Sequence, residues 1–111
     1  MIVPVVEPSD EALAVRAAAG DDSAFETIVR RYQSRIYRLA CRLTTETDAA
    51  DVLQETFLQV YRHLPSFRGD AQFGTWIYRI ATNAALMHRR ATTDVRINEW
   101  LYYEEKRRGL L

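Results

Sequence analysis

An all-α fold is what this sequence predicts: a compact bundle of three main helices preceded by a short one. Apolar residues recur at three- and four-residue spacing over long stretches, the period of a helix with one buried face. Chain-breaking residues are scarce, with four Gly and three Pro in 111 residues and two of the prolines in the first eight positions. That leaves little punctuation for the turns of a many-stranded fold. The length suits one domain with its own core.

The elements follow in order. Residues 1–8 read as a loose tail and 9–90 as the domain. Ser9 before Asp10 and Glu11 starts the first helix, a capping hydroxyl with acids at the positive end of the dipole. Gly20 ends it. Asp21-Asp22-Ser23 opens the second, whose inward stripe is Phe25, Ile28, Val29, Tyr32, Ile36, Leu39, Ala40 and Leu43. The third is predicted over about 48–63, with Ala49, Val52, Leu53, Thr56, Phe57, Val60 and Tyr61 inward and Pro65 as its stop. Ser66 to Gln72 is a polar loop around Arg68-Gly69-Asp70. The fourth helix begins near Phe73-Gly74, with Thr75 as its N-cap, and runs to about Arg90. Its stripe is Ile77, Ile80, Ala81 and Ala84, extended by Met87 or His88. Residues 91–111 are either a final helix docked on the bundle or the start of an interdomain linker.

Composition excludes several classes. The lone Cys41 rules out an internal disulfide and sits beside an apolar stripe, where it reads as a small core residue. No apolar run has the length of a membrane span, and Met1 to Val6 has no basic n-region, so no membrane role and a cytoplasmic location are expected. His63 and His88 are isolated, which speaks against zinc. No Gly-rich phosphate loop or nucleophile elbow occurs, so neither a cofactor nor catalysis is expected.

Charge is more informative in its distribution than in its sum of zero. Fourteen of the fifteen basic residues are Arg, crowded at Arg30, Arg31, Arg35, Arg38 and Arg42 and again at His88-Arg89-Arg90, while acids collect at 7–26 and 46–55. Segregated signs suggest two different partners; a solvated helical surface held by i,i+4 ion pairs would look similar. The outer face of the third helix offers carboxylates and amides, suited to a basic or coiled-coil protein partner or simply to water. From Phe67 to Arg90, rings (Phe67, Phe73, Trp76, Tyr78) alternate with cations (Arg68, Arg79, Arg89, Arg90) and the amide of Asn83. Single-stranded nucleic acid is held by such stacking and phosphate contacts, although the same rings could serve as core.

Taken together, three stretches resemble region 2 of the extracytoplasmic-function sigma factors of bacterial RNA polymerase. They are Phe25-Glu-Thr-Ile-Val-Arg-Arg-Tyr32 with Ile36-Tyr37, Asp48-Ala-Ala-Asp51-Val-Leu-Gln54-Glu55-Thr-Phe57-Leu-Gln-Val-Tyr61, and Phe67-Arg-Gly69 followed by Phe73-Gly-Thr75-Trp76-Ile77-Tyr-Arg79-Ile80-Ala81-Thr-Asn83. The resemblance implies that Asp51, Gln54 and Glu55, with Phe57 and Tyr61 shaping the surface, bind the clamp coiled coil of the polymerase largest subunit. It implies a pocket for a flipped −10 base at Phe67, Arg68, Gly69, Asp70 and Gln72. Promoter recognition would fall to Trp76, Arg79, Asn83 and Met87, with Arg89 and Arg90 on phosphate. An anti-sigma factor is expected as a further partner. Met87 and His88 stand where the family often has an acid. Nothing after residue 90 resembles the −35-reading domain, so the expectation is an excised region 2 or, less favoured, a natural truncation. Rival readings are a double-strand-binding helix-turn-helix regulator, disfavoured by the long loop after Pro65, and a helical protein adaptor.

Overall fold

The computed structural model describes residues 6–69 and 72–109, with the helix backbone alone described over 90–101 and at 103. Its elements are α1 (Asp10–Ala18), α2 (Asp22–Leu43), α3 (Glu46–His63), a 3₁₀ turn (Leu64–Ser66) and α4 (Phe73–Arg107), with no strand among the described residues. The all-α expectation is met.

Each long helix buries every fourth residue. In α2 the row is Ala24, Ile28, Tyr32, Ile36 and Ala40; in α3 it is Val52, Thr56 and Val60; in α4 it is Phe73, Ile77, Ala81 and Ala85. Four residues at about 100° each overshoot one turn, so these rows wind slowly and the helices pack by i±4 ridges. The row offset by two residues lies about 200° away and faces outward. The one buried polar side chain on these rows is satisfied, since the Thr56 hydroxyl donates to the Val52 carbonyl at 2.7 Å.

This geometry corrects parts of the expected stripes. Tyr61 and Met87 are 55% and 69% exposed, and Ala85 holds the inward place on α4. Ala40, Ala49, Val52 and Ala85 form one buried cluster. The α3 helix starts at Glu46, because the Thr45 hydroxyl accepts from the Asp48 N–H at 3.2 Å.

Thr75 does not cap α4. The helix begins two residues earlier, and the Phe73 N–H donates across the bundle to Glu11 Oε1 of α1 at 3.4 Å. Nor does α4 end near Arg90. With no Gly or Pro from 91 to 107, nothing local interrupts it, and the helix continues to Arg107.

The short α1 is tied down by charge as well as by Leu13 and Ala14. Asp10 accepts from Arg31 Nη1 at 3.0 Å and from the Tyr32 hydroxyl, and Glu7 accepts from Arg31 Nη2 at 3.1 Å. Burial and then the Asp10 contact push the Tyr32 phenol well above its ordinary range.

Asp21 caps α2 and gives a pH-dependent contribution. Its Oδ1 accepts from the Ser23 hydroxyl and from the Ser23 and Ala24 N–H groups, while its Oδ2 accepts from Arg16 at 2.9 Å. The Ser23 hydroxyl, then Arg16, then the Ala24 N–H lower its pKa from 3.8 to about 2. A depressed carboxyl pKa stabilises the fold above the unfolded value and ceases to do so as pH falls through the folded one. Stability is therefore expected to decline from about pH 4 towards pH 2. Asp21→Asn keeps an acceptor but no titrating group, so the shift in urea midpoint between pH 5 and pH 2 should be smaller in that variant. An equal shift in both proteins would show that Asp21 contributes nothing to the acid limb.

Candidate nucleic-acid and protein interfaces

The loop after α3 is anchored at its start and open afterwards. Pro65 fits the second position of the 3₁₀ turn, Leu64 is buried, and the Ser66 hydroxyl donates to the His63 carbonyl at 2.7 Å. Phe67 then folds back on the bundle. Its ring meets Phe73 edge-on at 5.5 Å and Trp76 at 5.0 Å with a 47° tilt, while Phe73 and Trp76 are 5.5 Å apart. Such ring pairs add to the area they bury. Phe73 is fully buried, as a core residue should be, whereas Phe67 and Trp76 are half-buried and retain exposed ring surface.

Arg68, Gly69 and Gln72 are exposed beyond this platform. Gly69 has φ +77°, a left-handed conformation that favours glycine and turns the loop sharply. Asp70 lies outside the described residues. Gly74 serves close approach: a Cβ there would come within 3.3 Å of the Tyr32 hydroxyl oxygen.

The expected DNA residues of α4 divide between rows. Arg79, Asn83 and Met87 share the outward row, two residues off the buried one, and all three are exposed. Trp76 heads the neighbouring row with Ile80 and Ala84, turned towards α3. Arg89 continues the buried row one turn past Ala85 and is exposed, apart from the other residues of the set. The Arg90 side chain lies outside the described residues.

The expected polymerase residues divide three ways. Phe57 and Tyr61 face α2, where Tyr61 stacks edge-on against Phe25 at 5.2 Å. Gln54 stands on the outward row with Leu58, which is 43% exposed. Asp51 and Glu55 face α4, in a row continued by Gln59 and His63. Gln59 Nε2 donates to Glu55 Oε1 at 2.8 Å, and its Oε1 meets His63 Nε2 at 3.1 Å.

Asp51 and Glu55 thus share an open groove of about 590 Å³ with Asn83 and Met87, floored by Val52 and Ile80. Residues expected to serve two partners lie on opposite walls of one groove. At one end His88 Nε2 reaches Asp48 Oδ1 at 3.3 Å, linking α3 to α4. His63 and Leu58 are not among the residues the sequence singles out for either partner. A four-residue periodicity anchored on Thr56 would have placed both.

No group of three or more His, Cys, Asp or Glu able to hold a metal occurs among the described residues. Cys41 is half-buried and packs against the Ala-rich cluster. No helix among the described residues is long and apolar enough to cross a membrane.

A helical bundle with an aromatic-backed loop, a polar outward row on α4 and an acid-amide face on α3 defines a binding domain. Residues 28–94 match the Sigma-70 region 2 family, and the chain belongs to that family. Its relatives lie in the extracytoplasmic-function branch. The ECF RNA polymerase sigma-E factor of Haemophilus influenzae is 46% identical over 77 residues, which cover 69% of this chain and 41% of that one. The sigma-E factor of Escherichia coli K12 is 47% identical over 77 residues, 69% of this chain and 40% of that one. The chain thus spans about two fifths of the length of these relatives.

Among solved structures, an engineered region 2 of sigmaE in complex with GTAAAA superposes with a TM-score of 0.76 at 38% identity, covering 81% of this chain and 95% of that one. CnrH in complex with the cytosolic domain of CnrY superposes with a TM-score of 0.65 at 34% identity, covering 70% and 51%. The expected resemblance is borne out.

Proposed function

We propose that residues 9–90 act in the cytoplasm as the part of a transcription initiation factor that binds core RNA polymerase and holds the −10 promoter element as single-stranded DNA. The observation that carries this reading is the half-buried Phe67–Trp76 pair beneath an exposed Arg68–Gly69 loop, beside the Arg79–Asn83 row. Unstacked bases need ring surface, and their phosphates need cations within reach. A flipped base offsets part of the unstacking free energy by entering a pocket, which the loop from Phe67 to Gln72 would supply. Asn83 suits base-edge reading because an amide both donates and accepts. The relative bound to GTAAAA supports this assignment.

On the protein side, Gln54 and the Asp51–Glu55 row would meet the clamp coiled coil of the polymerase largest subunit, with Tyr61 and Phe57 fixing the α3 surface between the two. An inhibitor of anti-sigma type would compete for the same face. The complex of CnrH with the cytosolic domain of CnrY supports a second protein partner for this fold. Binding, not catalysis, is the activity. Residues 91–107 would carry the end of α4 away from the bundle as the start of a linker.

The test is retention of purified core polymerase by this chain and by Gln54→Ala/Glu55→Ala. Both side chains are exposed, so circular dichroism should be unchanged. Wild type should retain core, and the double variant should bind about tenfold more weakly, roughly 1.4 kcal/mol. No retention by wild type would sink the proposal and leave a helical protein adaptor in its place.

A further inference from the structure

Five arginines lie on α2, and α1 neutralises only one of them. Arg31 is held by Asp10 and Glu7, whereas Arg30, Arg35, Arg38 and Arg42 are exposed. Among the described residues none of these four has a carboxylate within ion-pair distance. Glu26, four residues before Arg30, makes no such pair either, so the i,i+4 pairing that would mark an ordinary solvated surface is not formed.

The placement is regular. Arg30, Ser34, Arg38 and Arg42 follow at four-residue intervals, two residues off the buried row, and so form the outward ridge of α2. From Arg30 to Arg42 the ridge extends about 18 Å, the axial rise of about five phosphates along one strand of a duplex. Arg35 stands to one side, its guanidinium 4.5 Å above the Tyr32 ring, which in turn meets Tyr78 of α4 at 6.3 Å. Arg35 therefore stands on the flank of α2 that packs against α4.

We infer that the α2 ridge of Arg30, Arg38 and Arg42 is a track for the phosphates of double-stranded DNA; this rests on the promoter reading above. Guanidinium groups, unlike ammonium groups, present a planar fork that fits phosphate oxygens in pairs. No position of the ridge itself carries a ring, and Tyr32 is buried; Tyr37, 39% exposed, stands beside the ridge with Ser34, Arg38 and Leu53 of α3. A run of cations with a single partly exposed ring beside it suits a backbone whose bases are already stacked, whereas single strands need a ring for each base they hold. The ridge then positions the duplex without reading its sequence.

The test compares this chain with Arg30→Gln/Arg38→Gln/Arg42→Gln by fluorescence anisotropy, on a single-stranded oligonucleotide and on a fork with a duplex arm, across a series of NaCl concentrations. All three residues are exposed, and the thermal melt verifies folding. On the fork, the slope of log K against log[NaCl] should fall by about 2–3, at roughly 0.9 for each phosphate that is no longer neutralised. On the single strand it should not change. An unchanged slope on the fork overturns the inference. So does an equal loss on both DNAs, which would make the ridge part of the single-strand site. Loss of core polymerase binding with fork binding intact would make it a protein contact and would overturn the inference too. Failure of the wild type to bind either DNA would be the distinct failure of the promoter reading itself.

Discussion

Phe73→Ala lowers the stability of the domain by about 3–5 kcal/mol, the expected result for deleting a fully buried ring that the surroundings cannot refill. Phe73 meets Tyr32 of α2 at 5.7 Å, Phe67 of the loop at 5.5 Å and Trp76 of its own helix at 5.5 Å. The ring therefore joins α2, the loop and α4, and its N–H marks where α4 begins. Total stabilities of small domains are about 5–15 kcal/mol, so this one truncation removes roughly a fifth of it or more. Urea unfolding followed by circular dichroism reads the change directly. Phe73→Leu, which keeps most of the volume, should cost less than about 1.5 kcal/mol. A loss below about 1 kcal/mol for the alanine variant would mean that this end of the bundle is held by something other than Phe73.

How far the sequence reveals this arrangement depends on whether the deciding contact is local. Helix periods, the Ser9 and Asp21 caps and the order of the three family-like stretches are local, and they are legible. The N-terminus of α4 is not, because its partner Glu11 is 62 residues away and a nearby hydroxyl at Thr75 is the only candidate within reach of the sequence. Hydropathy favours Met87 over Ala85 for the inward place because Met is the larger side chain. What decides the position is the four-residue row that starts at Phe73 and brings Ala85 against Ala40, Ala49 and Val52.

The candidate site is illegible for a similar reason. Sequence groups its residues in one set for each partner, yet Asp51 and Glu55 face α4 while Phe57 and Tyr61 face α2. A helix can show two flanks to two neighbours, and only the neighbours tell which flank is which. The α2 arginines are legible as a cluster. That Arg31 alone is neutralised is not, because Glu7 and Asp10 lie outside that helix, more than twenty residues earlier in the chain.

Trp76→Ala separates stacking from packing at the loop platform. Trp76 is half-buried, and its ring packs against both Phe67 and Phe73 while part of its surface stays open. Alanine here should destabilise the fold less than it does at Phe73, since less of the ring is removed from water. Its larger effect should fall on DNA. A stacked base contributes about 1–3 kcal/mol, so affinity for a single-stranded oligonucleotide containing GTAAAA, the sequence bound by the sigmaE relative, should weaken by about 5- to 150-fold. Trp76→Phe keeps a ring at the same place and should recover much of the loss, which a purely structural role at the platform would not require. Fluorescence anisotropy at fixed salt measures all three proteins, with the thermal melt showing that each is folded. If the folded alanine variant binds the oligonucleotide as tightly as wild type, Trp76 is part of the core and the bases stack elsewhere. Phe67 would then be the ring to test, because it is the other partly open member of the triad and sits next to Arg68.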